Sequence, residues 1–188
     1  MDSDGANARS MIAILHNIRS LHNVGSIFRT ADAAGVKKLY LCGITPAPTD
    51  RFGKLRGQFA KVSLGAERYV EWQKIPKTEK LIEKLKKDGY KIFAVEQSKK
   101  STSHYKLRGA VTRHSAIALV VGNEIMGLPE SILKKSDKIL EIPMRGAMVR
   151  QAHHPRRVHR GKMVRQAHHK ESLNVAVAFG IVVYNLIH

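Results

Sequence analysis

Two segments in the last quarter of the chain decide its fold: Leu140-Glu141-Ile142-Pro143-Met144-Arg145-Gly146 and Ser172-Leu173-Asn174-Val175-Ala176-Val177-Ala178-Phe179-Gly180. The first is typical of the end of a buried strand, and the second of the start of an apolar helix. Ser172 is the predicted N-cap of that helix, because its hydroxyl can accept from an early helical N–H group. Without residues 147–169, the two segments form a tight strand–loop–helix joint.

Residues 147–169 interrupt this joint. Within them, Met148-Val149-Arg150-Gln151-Ala152-His153-His154 recurs letter for letter as residues 163–169. The interval holds six arginines and lysines and no acidic residue, so it cannot build a core. We predict an inserted, mobile loop in solvent, because closure entropy rises only slowly with loop length. Its paired histidines lack the supporting carboxylates that a metal site needs, so no metal is predicted.

The overall composition indicates one domain that binds a polyanion. The 188 residues, 43% of them apolar, are enough for a full core over 1–188, with residues 1–10 as a flexible N-terminus. Lys+Arg 33 against Asp+Glu 15 gives a formal net charge of +18, and the chain stays strongly basic without the insertion. RNA or DNA is the first partner that such a charge suggests.

Several classes of protein are not expected. Cys42 is the only cysteine, which excludes an intrachain disulfide and a cysteine metal site and fits a reducing cytoplasm. The first ten residues are polar, so we expect no signal peptide. The apolar run 175–187 contains Gly180 and Asn185 and is too short to span a bilayer comfortably. It is predicted to be a core helix.

Short apolar runs alternate with amphipathic segments along the chain. This pattern predicts an α/β fold with a mainly parallel sheet flanked by helices. The predicted strands are 11–15, 38–43, 90–95, 115–122 and 138–143, and the predicted helices are 24–34, 78–87, 129–135 and 172–186. Asn23 and Gly35 are the predicted caps of helix 24–34, while 59–70 is ambiguous, with room for a short helix. Ligands of such sheets bind at loops beyond the strand carboxyl ends.

Gly122-Asn123-Glu124-Ile125-Met126-Gly127 follows a buried strand directly. Its glycines would let the backbone approach a ligand closely, but taken alone the pattern is more typical of a structural turn. It lacks the Gly-Lys-Ser/Thr of a phosphate-binding loop and the position of a dinucleotide fingerprint. Asn23 and Arg29 are predicted near one face of a helix N-terminus, where free N–H groups and the helix dipole favour phosphate binding. From spacing alone, a cap plus a surface arginine is the favoured interpretation.

Three segments together carry a family resemblance. They are Asn17-Ile18-Arg19-Ser20-Leu21-His22-Asn23-Val24-Gly25-Ser26-Ile27-Phe28-Arg29-Thr30-Ala31-Asp32, then Leu119-Val120-Val121-Gly122-Asn123-Glu124-Ile125-Met126-Gly127-Leu128, then Ile142-Pro143-Met144-Arg145-Gly146 resumed at residues 172–178. They resemble motifs one, two and three of the SpoU (TrmH-like) RNA ribose methyltransferases, in the right order. Each motif is weak alone, but the three together are specific.

The resemblance implies a SPOUT-type α/β fold with a C-terminal trefoil knot, one of the rare exceptions to unknotted topology. It implies a homodimer that uses S-adenosylmethionine to methylate a ribose 2′-OH in tRNA or rRNA. Because the first predicted strand begins at Met11, we expect no extra N-terminal RNA-binding domain of the kind some family members carry. The insertion at 147–169 departs from the family pattern.

The resemblance also implies roles for residues. The cofactor would be held at Gly122, Asn123, Ile142, Met144, Ser172 and Leu173. The catalytic set would be Arg29, Asn23, Glu124, Ser172 and Asn174, with Arg29 activating the 2′-OH. Arginine normally stays protonated, so Arg29 would act either as an unusual base or as a clamp on the adjacent phosphate. No metal is needed, because the sulfonium cofactor is already activated.

Two other hypotheses stay open at this stage. One is a basic RNA-binding protein whose methyltransferase site is impaired by the insertion at 147–169. The other is an unrelated α/β nucleotide-binding protein. Binding of S-adenosylmethionine separates the third hypothesis from the first two, and methyl transfer to RNA separates the first two from each other.

Overall fold

The computed structural model describes residues 10–108, 116–145 and 172–188. The chain divides into two units, one formed by Met1–Ile142 with Asn174–His188 and the other by Pro143–Leu173. Each unit is described by itself. The predicted single domain, its flexible N-terminus and the knot stay predictions, and the predicted loop 147–169 lies outside the described residues.

Within the described part of the first unit, seven strands and five α-helices follow one another. The strands are β1 (Ser10–His16), β2 (Lys38–Cys42), β3 (Glu71–Ile75), β4 (Lys91–Val95), β5 (Thr102–Ser103), β6 (Ala116–Val121) and β7 (Lys138–Glu141). The helices are α1 (Leu21–Ala34), α2 (Gly57–Ser63), α3 (Thr78–Lys87), α4 (Glu130–Leu133) and α5 (Val175–Ile187). Short 3₁₀ turns occupy Ala66–Arg68 and His104–Leu107.

The strands form one sheet in the order β3-β2-β1-β6-β4-β7-β5, and every pair of neighbouring strands is parallel. Strand β1 lies near the middle, where Leu15 pairs with Leu41 on one side and with Val121 on the other. The predicted α/β class with a mainly parallel sheet is therefore confirmed.

Strands β3 and β5 are missing from the sequence-based prediction. Both lie at the edges of the sheet. Most residues of Glu71–Ile75 are exposed, and Thr102–Ser103 has only two residues. An edge strand needs no apolar run on both faces, so the pattern that predicts central strands does not detect it.

The sheet buries a core on each face. Ala13 and Leu15 point toward the face that packs against α1, α2 and α5, whereas Ile12 and Ile14 point toward α3 and α4. This alternation follows from the two-residue period of a strand. Because both faces are covered, the central strands are apolar throughout, as the sequence predicts for a parallel sheet.

Two predicted helix caps are wrong, and one is confirmed. Helix α1 begins at Leu21, and its N-cap is Ser20, whose hydroxyl accepts from the Asn23 N–H at 3.2 Å. Helix α5 begins at Val175 with Asn174 as N-cap, so Ser172 precedes the helix. Gly35 closes α1 in the left-handed region, with φ of 74°, as predicted.

Helix α5 buries one face, as expected for a core helix. Its larger buried apolar residues are Val175, Phe179, Val182, Val183 and Leu186. The apolar side chains that it leaves exposed are Val177, Ile181 and Tyr184, with exposed fractions of 51%, 39% and 44%. Their spacing of four and three residues places them along one stripe of the helix.

In the part of the chain that the structure describes, no helix combines the length and apolarity that crossing a membrane requires.

Candidate active site

The candidate site is built from two loops that follow the carboxyl ends of central strands of the sheet. The loop after β1 begins at Asn17, and the loop after β6 begins at Gly122. Because β1 and β6 are parallel neighbours, their carboxyl ends meet, and β2 pairs with the other side of β1. The chain therefore turns to opposite sides of the sheet at this point, which is where ligands of open α/β sheets bind.

A chain of hydrogen bonds joins these loops to α5. The Asn23 side-chain amide donates from Nδ2 to Oε1 of Glu124 at 2.9 Å. Its Oδ1 accepts from Nδ2 of Asn174 at 3.0 Å. Asn174 in turn uses its own Oδ1 to cap α5. The three side chains come from the three segments that carry the family resemblance, and Asn23 is only 8% exposed.

The Glu124 carboxylate accepts two more hydrogen bonds. The Arg19 N–H donates to Oε2 at 3.2 Å and the Ser20 N–H to Oε1 at 3.3 Å, just before α1. Burial acts to raise the pKa of Glu124. Hydrogen bonds from the Asn23 side chain and from backbone N–H groups outweigh it, so the pKa lies below its ordinary value. Glu124 is therefore an ionised positioning group that fixes the start of α1.

The loop after β6 is held by its own backbone and by Asn123. A Cβ on Gly122 would lie 2.8 Å from the Gly127 carbonyl carbon, so only glycine fits there. Oδ1 of Asn123 accepts from the Ile125 and Met126 N–H groups, both at 2.9 Å. Its Nδ2 donates to the Asn17 carbonyl at 2.8 Å. These contacts agree with a structural turn, and cofactor binding by Gly122 and Asn123 stays a prediction.

Arg29 lies apart from this cluster. It is the ninth of fourteen residues of α1, not at the start of the helix as expected, and it is exposed. It lies six positions after Asn23, which corresponds to about 120° around the helix, so the two do not share a face. Arg29 forms no ion pair with a described residue. The prediction of a shared face is therefore wrong, and its catalytic role stays a prediction.

The remaining predicted residues lie at or beyond the end of β7. Ile142 is partly buried against the core of the first unit. Met144, Ser172 and Leu173 belong to the second unit, in which Ser172 is exposed. The described hydrogen bonds thus bring together Asn23, Asn123, Glu124 and Asn174 with the loop after β1. The roles of Ile142, Met144, Ser172 and Leu173 stay predictions.

A comparison with known families identifies the chain. The family described as SpoU rRNA Methylase matches residues 10–149, which is most of the chain and includes the first two motif segments. The protein belongs to this family.

Two curated proteins and one solved structure illustrate the similarity of this SpoU chain. A putative TrmH family tRNA/rRNA methyltransferase from Staphylococcus haemolyticus is 32% identical over 137 residues, covering 73% of this chain and 51% of that protein. A tRNA (guanosine(18)-2′-O)-methyltransferase from Aquifex aeolicus is 29% identical over 180 residues, covering 94% and 68%. The AdoMet-bound rRNA methyltransferase of Sinorhizobium meliloti is 22% identical, with a TM-score of 0.72, covering 96% and 56%. The chain thus spans about half the length of the first of these relatives, and the S. meliloti structure shares its fold.

Two residues that contact the loops of the candidate site were not singled out from the sequence. Asn17 adopts a φ of 54°, donates from Nδ2 to Nε2 of His16 at 3.0 Å, and accepts from the Ile44 N–H at 3.0 Å. Glu96 follows β4 and accepts from the Leu128 N–H at 2.8 Å, which ties the second motif to a third loop. The detectable signal for Glu96 was a carboxylate directly after a buried strand.

The described residues contain no candidate metal site. Within residues 10–108, 116–145 and 172–188, no group of three or more His, Cys, Asp or Glu side chains could hold a metal ion. The repeated histidines of the insertion lie outside these ranges.

Replacing Glu124 with glutamine tests its positioning role. We expect a loss of about 1–3 kcal/mol in the free energy of unfolding at pH 7, because an amide cannot accept all three hydrogen bonds. The folded-state pKa of Glu124 is depressed, so its contribution is fully present above the unfolded value near 4.5 and disappears as pH falls through the folded value. Urea unfolding at pH 7 and below pH 4 measures both effects.

The matched control is Glu130→Gln, because Glu130 is an exposed carboxylate with one long ion pair at 4.0 Å. We expect that variant to unfold like the wild type. Equal stability of Glu124→Gln and Glu130→Gln at both pH values would remove Glu124 from this role.

Proposed function

We propose that this protein is an S-adenosylmethionine-dependent RNA methyltransferase that acts on a ribose 2′-OH of tRNA or rRNA. The observation that carries the proposal is the hydrogen-bonded chain Glu124–Asn23–Asn174 at the carboxyl edge of the sheet. It links residues of all three motif segments across a long stretch of sequence. The name of the Aquifex aeolicus relative supports the 2′-OH of tRNA as the target.

The cofactor would be read mostly by the backbone of the loops at the carboxyl ends of the strands. A side chain at Gly122 would clash with Gly127 and Leu128, so this glycine fixes the shape of the turn between Gly122 and Gly127. When bound, S-adenosylmethionine supplies a methyl group already activated by its sulfonium. Gly122, Asn123, Ile142, Met144, Ser172 and Leu173 are the residues proposed to hold it. The AdoMet-bound Sinorhizobium meliloti structure is the precedent for this cofactor on this fold.

The chain's own residues would orient the RNA. Arg29 is exposed and carries a planar fork of donors suited to a phosphate. We propose that it clamps the phosphate next to the target ribose and so fixes the 2′-OH, gaining rate through position. Asn23 and Glu124 would hold the first turn of α1, and Asn174 would hold the start of α5.

The charge and the single cysteine support the proposed partner and location. A net charge of +18 favours a polyphosphate partner and predicts RNA affinity that falls steeply with salt. Cys42 is fully buried, and burial raises the pKa of its thiol to about 11. Such a thiol is unreactive. A single cysteine, which cannot form an intrachain disulfide, is compatible with the cytoplasmic location that we propose.

Methyl transfer to RNA tests the function directly. Wild-type protein should transfer the labelled methyl of S-adenosylmethionine to bulk RNA from cells that lack this gene, and much less to RNA from cells that have it. Mapping of 2′-O-methyl sites in the two RNA pools would then identify the nucleotide. No transfer to either pool would overturn the proposal.

A second candidate function follows from the insertion at 147–169, which separates Gly146 from Lys170. It is RNA binding without catalysis, in a methyltransferase fold whose cofactor site the insertion impairs. Methyl transfer to RNA discriminates the two, because only the first candidate requires the full chain to transfer a methyl group.

We further propose a homodimer that uses the exposed stripe of α5. Val177, Ile181 and Tyr184 form an apolar strip on a helix whose other face is already in the core. Ile181→Glu should convert the dimer to a monomer, because it places a charge within the strip. Leu64→Glu, at an equally apolar exposed position outside α5, is the matched control and should stay dimeric. Sedimentation at micromolar concentration measures both, and a monomeric wild type would contradict the proposal.

A further inference from the structure

A small hairpin, residues 48–56, lies in the segment between β2 and α2. Thr49 and Leu55 form an antiparallel bridge, and the Asp50 N–H donates to the Lys54 carbonyl at 2.9 Å. The Asp50 carboxylate accepts from the Phe52 and Lys54 N–H groups at 2.8 and 3.0 Å. Gly53 completes the turn with φ of 79°. The tip is therefore a fixed structure, in which the one carboxylate is occupied by backbone.

The hairpin is anchored at its base. Leu55 packs against the core that α1 and α5 share. Thr45, which is fully buried, accepts from the Ile18 N–H at 3.1 Å and donates to the Leu15 carbonyl at 2.8 Å. These bonds tie the segment after β2 to the loop after β1. Since β1 and β2 are parallel neighbours, the hairpin follows the same edge of the sheet as the candidate site.

The hairpin tip carries an aromatic ring among cations. Phe52 is 78% exposed, and the guanidinium carbon of Arg51 lies over its ring, 4.7 Å from the centroid. The side chains of Lys54 and Arg56 are also exposed. A single exposed phenylalanine is common on protein surfaces, but a ring surrounded by cations on a fixed turn is the combination found in proteins that bind single-stranded nucleic acid.

We propose that Phe52 is a stacking platform for an unpaired nucleobase of the RNA, with Arg51 and Lys54 binding the flanking phosphates. An aromatic ring with an arginine over one face presents its other face to a base, and cations beside it match the phosphates. The inference rests on the proposed function in one respect, that the ligand is RNA. It specifies an unpaired segment, because bases within a helix do not offer their faces.

The charges favour RNA over a second copy of this chain. Two hairpin tips meeting in a dimer would bring Arg51, Lys54 and Arg56 against the same cations of the other copy. The chain as a whole is also strongly basic. Like charges at close range are repulsive, whereas a polyphosphate neutralises them.

Binding of a fluorescein-labelled 12-nucleotide single-stranded RNA, and of the same RNA annealed to its complement, tests the proposal by anisotropy. Phe52→Ala and Phe52→Leu should each weaken single-strand binding about tenfold or more, since stacking needs a ring. Phe52→Trp should restore it, and duplex binding should change less than about twofold. Arg51→Gln should reduce the salt slope of single-strand binding by about 0.7, whereas Phe52→Ala should leave the slope unchanged.

The matched control is Tyr69→Ala. Tyr69 is also 78% exposed, but it precedes β3 and so lies at the amino ends of the strands, whereas the hairpin lies at their carboxyl ends. We expect this variant to bind both RNAs like the wild type. Wild-type affinity of Phe52→Ala for the single strand would overturn the inference, as would an equal loss on the duplex or dissociation of a dimer. The anisotropy readout is independent of catalysis. Phe52-dependent binding without any methyl transfer would therefore contradict the proposed function and leave the inference about Phe52 in place.

Discussion

Replacement of Arg29 by alanine is expected to abolish methyl transfer while leaving folding and cofactor affinity unchanged. The loss of one clamp that acts in the transition state should cost about 3 kcal/mol or more, which is at least about a hundredfold in rate. Folding should survive, because Arg29 is exposed and forms no ion pair with a described residue. The start of α1 is held instead by Glu124 and Asn23.

Single-turnover methyl transfer with saturating S-adenosylmethionine measures the effect on the chemical step, and calorimetry measures the affinity for the cofactor. Arg29→Lys tests whether Arg29 acts as a clamp or as a base, because lysine keeps the charge and loses the planar fork of donors. A phosphate clamp predicts partial activity for lysine and none for alanine. If arginine instead served as a base, the pH dependence of the lysine variant should shift toward lower pH, because an ammonium gives up its proton more readily.

The matched control is Arg68→Ala. Arg68 is an exposed arginine in the 3₁₀ turn before β3, at the amino ends of the strands. This variant should transfer methyl groups like the wild type and lose only a little salt-sensitive RNA affinity. Activity of Arg29→Ala within a few-fold of the wild type would remove Arg29 from the mechanism.

The sequence predicts the buried centre of the sheet well, because burial on both faces demands continuous apolar runs. Strands β1, β2, β4, β6 and β7 were predicted to within a few residues, and the predicted helix 78–87 coincides with α3. The edge strands β3 and β5 carry no such demand, and they were missed. The parallel order of the strands depends on contacts between distant segments, which no local pattern contains.

The caps show why local chemistry was insufficient at the site. Asn23 was the predicted N-cap of α1, because the helical pattern of the sequence begins at Val24. In the folded chain, the Asn23 side chain is engaged by Glu124 and Asn174, which lie more than a hundred residues away. Ser20 therefore caps α1. The residues of the site could be proposed from the resemblance, but their hydrogen bonds follow from the tertiary fold.

Deletion of residues 147–169, with Gly146 joined to Lys170, is expected to weaken RNA binding and to leave cofactor binding unchanged. These residues lie outside the described ones. Their exact heptapeptide repeat and their lack of acidic residues indicate a late in-frame addition. We expect the deletion variant to bind S-adenosylmethionine about as tightly as the full chain, because an inserted loop costs little closure entropy.

RNA affinity should fall on deletion. The interval contributes six arginines and lysines, and each one that contacts a phosphate adds about 0.7 to the salt slope of single-strand binding. The slope should therefore be up to about 4 units shallower, with the largest loss of affinity at low salt. Methyl transfer at saturating RNA should be preserved. Anisotropy titrations from about 50 to 200 mM salt measure the slope.

A Gly/Ser linker of the same length in place of 147–169 is the matched control, because it keeps the length and removes the charge. Equal RNA affinities of the linker and deletion variants would assign the loss to charge. If instead cofactor binding appears only when the segment is deleted, and the full chain binds none, then the insertion obstructs the site. That result would support RNA binding without catalysis over the enzyme proposed here, because the cofactor would bind only when residues 147–169 are absent.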